Sequence, residues 1–290
     1  NIIDAKISAY GDVQSKLYDF SEAIVALSDS SNVGATLATS SDETILTATA
    51  ESSAPVGTYS VDVQRVAAAH SLVSDSYTAT SDTIGTVGST LTFTLGTFTY
   101  AGGFIDTFSA NPDTSTKTIT LEAGNNTLQG LRDAINDDQS GVPGVKASLI
   151  YDGTGYVMQL TSEDTGEDFA MEIVAKDAFG ALATSGVSGF AYNKNQDTPG
   201  TNLTQTQEGE DALLSVNGLN VTRSSNEVTE LIDGVSLNLK SADAGTSISI
   251  DVSSDITGIS ENIQDMIDSY NEFQSLYQDL TNFNVDDSVG

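Results

Sequence analysis

Few side chains in this sequence could carry catalysis. His70 is the one histidine, and it closes the small-residue run Ala67-Ala68-Ala69, a setting typical of a structural histidine. The sequence has no cysteine, which excludes thiol nucleophiles, thiolate metal sites and disulfides. With one histidine and no cysteine, nearly all of the common catalytic triads and zinc sites are excluded.

Carboxylates are abundant, and two of them could in principle hydrolyse a glycoside as acid and base. Adjacent pairs occur at Asp137-Asp138 and Asp286-Asp287, but with 41 Asp and Glu residues such pairs arise by chance. The acidic loops at 152–155 and 163–168 lack the regular oxygen ligands and the terminal glutamate of a calcium loop. We therefore predict no enzyme activity, no catalytic, cofactor-binding or metal-binding residues, and no cofactor.

The charge balance excludes two further classes of partner. Only 10 Lys and Arg oppose the 41 acids, so the net charge is −31, which repels nucleic acid and anionic lipid. No apolar run approaches the roughly 18 residues that a membrane-spanning helix needs. We expect neither nucleic acid nor membrane as a partner, and we interpret the acidic surface as an aid to solubility.

The two ends of the sequence are predicted to form amphipathic helices with heptad seams. Apolar residues recur in two series per helix, offset by three or four positions, as in coiled coils. We predict a helical stem (leg) from residues 1–35 and 254–290, in which the seams pack the helices on each other and also contact neighbouring subunits. The seam residues are Ile3, Tyr10, Leu17 and Ile24 with Val13, Phe20 and Leu27, and Ile256, Ile263, Tyr270 and Tyr277 with Ile259, Met266, Phe273 and Leu280.

The long region between the helices is predicted to be mainly β. Stretches such as 58–63, 90–95, 236–239 and 247–252 alternate polar and apolar residues and are separated by Gly, Asn and Asp. This pattern indicates half-buried antiparallel strands. The predicted fold class is mainly β with α, in which two nested antiparallel β-sandwich or barrel-like domains are carried on the stem of N- and C-terminal amphipathic helices.

One helix is predicted to interrupt the strands near 127–137, with Leu128, Leu131 and Ile135 on one face and Asn126 or Thr127 as its cap. Asp152 to Gly155 is predicted to turn one strand into the next as a hairpin.

The order of helix, strands and helix predicts one β domain inserted into another. We place an inner β domain at 36–85 and 208–253, and an inserted outer β domain at 86–207. The polar and poorly periodic stretch 183–207 is interpreted as the linker that returns from the outer domain. Because the sequence starts at Asn1 without a methionine or signal-peptide pattern, we interpret it as the central fragment of a longer protein.

Three blocks of motifs lie in a fixed order between the heptad helices. They begin with a strand-like segment and a short extension, continue with a helix and two strands, and close with turns and a strand before the last helix. The blocks are 57–63 with 66–72; 126–136 with 144–150 and 156–162; and 216–218 with 223–226, 234–239 and 270–271.

In this order the blocks resemble the flagellar hook-associated proteins, and within them the filament caps known as hook-associated protein 2. The second block is similar to the repeat that flagellin and hook proteins share. The resemblance spans Gly57 to Asn271, whereas the stretch 183–207 matches no part of the family. The coiled-coil ends with which the family enters the filament are missing from this sequence.

The resemblance implies a non-enzymatic protein that caps the distal tip of the filament, promotes flagellin folding and insertion, and prevents flagellin loss. It implies a ring of roughly four to six identical subunits. The implied partners are further copies of the chain, flagellin at the tip, and the hook–filament junction proteins. The implied location is outside the cell, after export without a cleavable signal peptide. A host surface is left open as a further partner.

Two other readings stay open on the residues alone. Other axial proteins of the flagellum, such as a hook–filament junction protein or flagellin, share the repeat and the helical ends. An unrelated adhesin or carbohydrate-binding module on a helical stalk would also suit Ser- and Thr-rich β domains. Such modules usually present Trp or clustered Tyr to sugars, whereas this sequence has no Trp and its 10 Tyr are scattered.

Overall fold

The computed structural model describes residues 2–28, 35–195 and 202–281, with side chains from Ile7 onward in the first range. Helices stand at both ends of these ranges and one short helix lies between the strands, as the sequence predicts. The helices are α1 (Ile2–Ser28), α2 (Leu128–Ile135) and α3 (Ile256–Thr281). The predicted mainly β fold class with terminal helices is confirmed.

The strands fall into two groups that follow the alternation of the sequence. The group nearer the stem comprises β1 (Thr36–Ser40), β2 (Leu46–Ala50), β3 (Gly57–Arg65), β12 (Ala212–Val216), β13 (Leu219–Arg223), β14 (Glu227–Ile232), β15 (Val235–Leu239) and β16 (Ile248–Ser254). The second group comprises β4 (Ser71–Val73), β5 (Thr90–Ala101), β6 (Phe104–Ala110), β7 (Lys117–Thr120), β8 (Val145–Tyr151), β9 (Tyr156–Ser162), β10 (Ala170–Lys176) and β11 (Thr204–Gln207).

The inner group forms two antiparallel sheets around one apolar core. One sheet has the strand order β1-β16-β3-β12-β13, and the other has the order β14-β15-β2. In β16 the alternation is visible directly, because Ile248, Ile250 and Val252 are buried whereas the residues between them are exposed. The core therefore forms from every second residue of strands that the sequence pattern predicts.

The outer group forms a second core that also includes α2. One sheet has the order β10-β5-β6 with β7 on β5, and the other has the order β11-β4-β9-β8. Leu128, Leu131 and Ile135 of α2 are buried against these sheets. The Thr127 hydroxyl accepts a hydrogen bond from the Gly130 N–H at 3.1 Å, so the predicted cap is Thr127.

The outer core takes in residues that the sequence analysis placed elsewhere. Leu72 and Ile84, assigned to the inner domain by the 36–85 boundary, are buried in the outer core, and β4 lies within an outer sheet. The linker prediction for 183–207 is wrong, because Phe190 and Leu203 are buried there as well. A short 3-10 segment at Gly186–Phe190 buries Val187 and Phe190, a single pair three residues apart that is too short to predict an element. Residues 196–201 of that stretch lie outside the described residues.

Outgoing and returning chain segments are hydrogen-bonded to each other at every level of the molecule. In the inner domain, β1 pairs with β16 so that Thr36 lies opposite Ser254. At the junction between the two cores, the Ala68 N–H donates to the Glu210 carbonyl at 2.8 Å. In the outer domain, β4 pairs with the returning β11. The nested topology is therefore closed by pairings between residues far apart in sequence.

At the junction, an asparagine side-chain amide makes the two backbone hydrogen bonds that a neighbouring strand would otherwise make. The Asn226 side chain accepts a hydrogen bond from the Ala67 N–H at 2.7 Å and donates to the Ala67 carbonyl at 2.9 Å. Asn136 binds Ala147 on the edge strand β8 in the same way, at 2.8 and 2.7 Å. Each amide thus satisfies both polar groups of a backbone residue that lacks a strand partner on that side.

The acidic loop 163–168 fastens the outer domain to the inner one. The Thr165 hydroxyl donates to the Ser224 carbonyl at 2.6 Å, and the Glu167 N–H donates to the Asp211 carboxylate at 3.0 Å. Gly166 has φ +112°, and a Cβ there would lie 2.7 Å from the Cβ of Ser224. Glycine is therefore required on both steric and conformational grounds.

Arg65, the last residue of β3, adds charge to this contact. Its Nε donates to the Asp211 carbonyl at 2.8 Å, and its guanidinium lies 3.0 Å from Glu210 and 3.7 Å from Glu167. The loop, the returning segment and the end of β3 are thereby held together at one point.

His70 lies buried beside the junction and has a structural environment. Its Nδ1 accepts a hydrogen bond from the Met171 N–H at 3.0 Å, which places the proton of the neutral ring on Nε2. Nε2 has no hydrogen-bond partner among the described residues, and the rings of Tyr192 and Phe98 stand 5.5 and 6.3 Å away. Burial lowers the pKa of His70 to about 4.

The asparagine amide at the junction is expected to be sensitive to a single-atom change. Asn226→Asp would place a carboxylate oxygen against the Ala67 carbonyl, where the amide now donates a hydrogen bond. We expect the free energy of unfolding to fall by about 1–3 kcal/mol. Urea unfolding would measure the change. Asn220→Asp, on the exposed strand β13, adds the same charge without breaking such a pair, so equal losses in both variants would contradict the assigned role.

His70 is expected to make stability fall in mild acid. Its pKa is about 4 in the folded protein and about 6.5 in an unfolded chain. Since the unfolded state binds the proton more readily, the contribution is fully present above pH ~6.5 and is lost as the pH falls towards ~4, by about 3 kcal/mol in total.

The measurement is the unfolding free energy against pH for the wild type and for His70→Asn, which retains an acceptor for the Met171 N–H. Carboxylates titrate in both proteins, so their difference isolates the only histidine. Parallel curves between pH 4 and 6.5 would contradict the assignment.

Candidate assembly surface on the helical stem

The stem is an antiparallel pair of helices held by one row of residues on each. The Lys16 ammonium lies 2.7 Å from the Glu272 carboxylate, and the rings of Phe20 and Tyr270 are 5.5 Å apart. Earlier residues of α1 therefore meet later residues of α3. The half-buried rows repeat at steps of three and four, as in a coiled coil: Ala9, Val13, Lys16, Phe20, Ala23 and Leu27 on α1, and Ile259, Asn262, Met266, Ser269, Phe273 and Leu276 on α3.

The predicted seam residues fall into two groups in the structure. On each helix one series lies in these half-buried rows and the other lies on an exposed flank. Leu280, the last member of the half-buried series on α3, is itself exposed. The half-buried residues are Val13, Phe20 and Leu27 with Ile259, Met266 and Phe273. The exposed ones are Tyr10, Leu17 and Ile24 with Ile256, Ile263, Tyr270, Tyr277 and Leu280. The side chain of Ile3 lies outside the described residues.

The exposed series of the two helices share one side of the stem. Tyr270 touches Phe20, which places its row beside the half-buried apolar row of α1. Glu272 touches Lys16 on the other side of the pair. In an antiparallel pair, equivalent flanks of the two helices lie next to each other, so an apolar flank of α1 adjoins an apolar flank of α3.

This side of the stem carries mainly apolar and uncharged polar side chains, and acids lie only at its edges. The Gln264 amide donates to the Asp268 carboxylate at 2.9 Å, and a hydrogen bond with Glu22 raises the pKa of the Tyr18 hydroxyl. Other acids, including Asp12, Asp19, Asp265 and Glu272, lie in rows on the opposite side. We name the side with few charges the neutral face. It consists of Ile7, Tyr10, Gly11, Gln14, Leu17, Tyr18, Ser21, Ile24 and Val25 on α1, and of Ile256, Thr257, Ser260, Ile263, Gln264, Ile267, Tyr270, Asn271, Gln274, Tyr277 and Gln278 on α3.

The sequence analysis found part of the neutral face and missed the rest. Ile7, Tyr18, Val25 and Ile267 are large, exposed and outside the heptad series. Their signal was the scarcity of charged residues in adjacent helical rows, which becomes apparent only when most of the acids are assigned to the other side.

The carboxylates that the sequence analysis considered for catalysis accept hydrogen bonds within their own loops. Asp137 accepts hydrogen bonds from the Ser140 hydroxyl at 2.8 Å and from the Ser140 N–H at 2.7 Å, which lowers the pKa of its carboxyl. Asp137 and Asp138 line an open cleft of about 260 Å³ next to the ion pair between Lys146 and Glu163. The pair Asp286-Asp287 lies outside the described residues.

The turn at Asp152 is also held by hydrogen bonds within the turn. Its carboxylate accepts from the Thr154 hydroxyl and N–H at 2.7 Å and from the Gly155 N–H at 2.8 Å, and these bonds lower its pKa to about 2. Within the ranges that the structure describes, no three His, Cys, Asp or Glu side chains come together in a metal-binding arrangement. No helix there is long and apolar enough to cross a bilayer.

Comparison with known families matches the chain in three places. The family model described as Flagellar hook-associated protein 2 N-terminus matches residues 1–70, and the C-terminus model of the same protein matches residues 209–289. The Flagellin hook IN motif matches residues 97–164, within the outer domain.

Relatives and solved structures agree with these matches. The chain is 30% identical over 284 residues to the B-type flagellar hook-associated protein 2 of Pseudomonas aeruginosa, covering 95% of this chain and 55% of the relative. It is 33% identical over 232 residues to the flagellar hook-associated protein 2 of Escherichia coli K12, covering 78% and 43%. The chain thus spans about half the length of the curated relatives it matches.

The fold matches the D1-D2-D3 domains of the flagellar cap protein FliD from E. coli, with a TM-score of 0.75 and 29% identity over 96% of this chain and 71% of that one. It also matches FliD (HAP2) from P. aeruginosa PAO1, with a TM-score of 0.63 and 27% identity over 85% and 99%. The N- and C-terminus models cover the stem and the inner β domain, whereas the P. aeruginosa relative and the E. coli structure extend through the outer domain as well. The chain belongs to the flagellar hook-associated protein 2 (FliD) family of filament cap proteins.

Proposed function

We propose that this protein caps the distal tip of the bacterial flagellar filament, where it promotes flagellin folding and insertion and prevents flagellin loss. The observation that carries the proposal is the continuous likeness to solved cap proteins through the stem and both β domains. The work is mechanical, and no bond is made or broken. The protein acts outside the cell, with flagellin and the hook–filament junction proteins as its partners.

The architecture suits a ring of roughly four to six copies, joined by head-to-tail contacts that close. The junction at Arg65, Gly166 and Asp211 holds the two β domains in one orientation, so that together they can serve as a stiff plate. The stem leaves the inner domain as a two-helix leg. The Asp255 N–H donates to the Ala35 carbonyl at 2.9 Å, which joins both helices to the plate at one point.

The predicted seam residues are proposed to serve both packing and subunit contact. The half-buried rows, with Phe20 and Phe273 as their largest members, would keep the leg together. The exposed series, including Leu17 and Tyr270, would contact other chains at the filament end. The mixture of Ile, Tyr, Phe and Met suits contacts that change as the cap moves.

Deletion of the full-length gene tests the proposed function directly. We expect flagellin to leave the cell as monomer, filaments to be absent or short, and motility to return when the gene or the purified protein is supplied. Immunoblotting of flagellin in the medium and electron microscopy of the cells provide the measurement. Filaments of normal length in the deletion strain would contradict capping and favour a junction or adhesive role.

Weakening the leg should impair the cap. Phe273→Ala in the full-length protein removes a half-buried ring from the helix interface, which we expect to cost about 1–2 kcal/mol of helix pairing and to reduce swimming. The swim-ring diameter and secreted flagellin are the readouts. Ser15→Ala, at an exposed residue of α1 outside both seam series, is the control. If the two variants swim equally well, the packing row does not support the cap.

A further inference from the structure

A phenylalanine projects into solvent from a turn at the end of β10 in the outer domain. Phe179 is 96% exposed, more than any other large apolar side chain in the part of the chain that the structure describes. The turn is closed by a bridge between Lys176 and Leu182. The Asp177 carboxylate accepts hydrogen bonds from the N–H groups of Phe179 at 2.9 Å and of Ala181 at 3.0 Å, so the turn has one conformation.

An aromatic side chain held in water on a fixed turn has the properties of a binding anchor. Its contact area is large and it has only two rotatable side-chain bonds, so little conformational entropy is lost on binding. Lys176 and Leu182 are exposed on the two strands of the same turn. We name Lys176, Phe179 and Leu182 together the knob.

A cleft of about 150 Å³ lies at the opposite end of β10, next to the junction between the two β domains. Phe98, Tyr100 and Ala170 form its apolar lining, and the exposed Glu167 and Glu208 also line it. A cavity of about 150 Å³ is large enough to bind benzene, so the cleft can take one phenyl ring. We name it the junction cleft.

The knob and the junction cleft cannot meet within one molecule. Ala170, which lines the cleft, and Lys176, which belongs to the knob, are the first and last residues of β10. Six steps along a strand extend about 20 Å, and β10 is held in a sheet by β5. The two surfaces therefore face different neighbours.

The sequence that the relatives have beyond this chain is not what covers the knob. This chain covers 99% of a solved E. coli chain of the D2 and D3 domains of FliD, with a TM-score of 0.61 and 29% identity over 76% of this chain. It covers 71% of the chain that also includes D1. The additional sequence thus belongs to D1, the domain of the stem, whereas the knob lies on the side of the outer domain away from the inner domain and the stem.

We propose that the knob of one copy inserts into the junction cleft of the next copy, with Phe179 against Phe98 and Tyr100. Aromatic rings attract each other in offset and edge-to-face arrangements, which favours this pairing over burial of an aliphatic side chain. The contact is heterologous, because the knob and the cleft are different surfaces of the same chain, and such contacts join copies head to tail.

Charge supports the same pairing. Lys176 brings a cation to a cleft that is lined by two carboxylates and by no basic residue. Glu167 already lies 3.7 Å from Arg65, so Glu208 is the carboxylate left for the incoming Lys176. Two copies of a chain with net charge −31 repel each other, and an ion pair of this kind determines which surfaces meet.

The contact is small, since one aromatic side chain buries roughly 150–250 Å². A single contact is therefore weak, and a closed ring, in which every copy uses both surfaces, is stronger. The inference rests on the proposed function only for the expectation that several copies meet.

Disulfide trapping with the 290-residue chain tests the pairing, since the chain has no native cysteine. Ala181→Cys places a thiol beside Phe179, and Thr97→Cys places one in the lining of the cleft. We expect cross-linked dimers when the two variants are mixed under oxidation, and a ladder of longer species when one chain carries both cysteines. Each variant alone is expected to stay monomeric, because two knobs or two clefts do not meet.

A matched pair of substitutions isolates the anchor. Phe179→Ser in the Ala181→Cys chain is expected to lower the yield of mixed dimer at least about tenfold, as truncation of an aromatic anchor does. Phe104→Ser is the control, because Phe104 is a second exposed phenylalanine of the outer domain, at the start of β6. It should leave the yield unchanged. Circular dichroism checks that all variants are folded.

A charge exchange tests the orientation of the contact. Lys176→Glu and Glu208→Lys are each expected to lower the yield by up to about fivefold, and the chain with both substitutions is expected to recover it. Recovery requires that these two residues face each other across the contact.

The absence of mixed dimers would overturn the proposal, and so would equal cross-linking in the variants that carry one cysteine. Equal yields for Phe179→Ser and Phe104→Ser would overturn it as well. These outcomes are measured on purified chains, whereas the gene deletion tests capping by flagellin loss, so failure of the one is distinguishable from failure of the other.

Discussion

The structure depends on hydrogen bonds between the outgoing chain and the chain that returns beside it. Each level repeats the same device: Lys16 meets Glu272 in the stem, Thr36 lies opposite Ser254 in the inner sheet, and Ala68 bonds Glu210 at the junction. None of these parts can complete its hydrogen bonds before the returning segment has folded against it. Because such contacts join residues far apart in sequence, folding has to bring the ends together late, and this topology favours slow folding.

The same device explains how a chain without disulfides holds its domains in register. Backbone pairing leaves little freedom at the junction, and the remaining polar groups are satisfied by Asn226 and by the loop around Gly166. These local hydrogen bonds stabilise the fold because a buried backbone group without a hydrogen-bond partner lowers the free energy of unfolding. The β domains therefore form a stiff head, whereas the stem beyond Ala35 is held by half-buried rows and the ion pair of Lys16 with Glu272. Rigidity and adaptability are thus assigned to different parts of one chain.

The sequence predicts elements with strong periodicity and fails where the structure is irregular. Alternation in 247–252 and the spacing of Leu128, Leu131 and Ile135 identify β16 and α2 correctly. The segment around Phe190 offers only one pair of apolar residues three apart, without repetition, so its burial in the outer core could not be anticipated. On the stem, heptads locate the helices but do not determine which series faces the partner helix. That choice depends on the antiparallel orientation of α1 and α3, which no single helix encodes.

The antiparallel stem has a consequence for how the molecule bears load. The outer ends of α1 and α3 lie at the same end of the stem, so tension between them peels the helices apart turn by turn. The force then reaches β1 and β16 at Thr36 and Ser254, and it opens that pair one hydrogen bond at a time. Unzipping of this kind proceeds at lower force than shearing all bonds together. Tension applied across the chain ends is therefore absorbed by the leg first, and the head keeps its shape until the leg has opened.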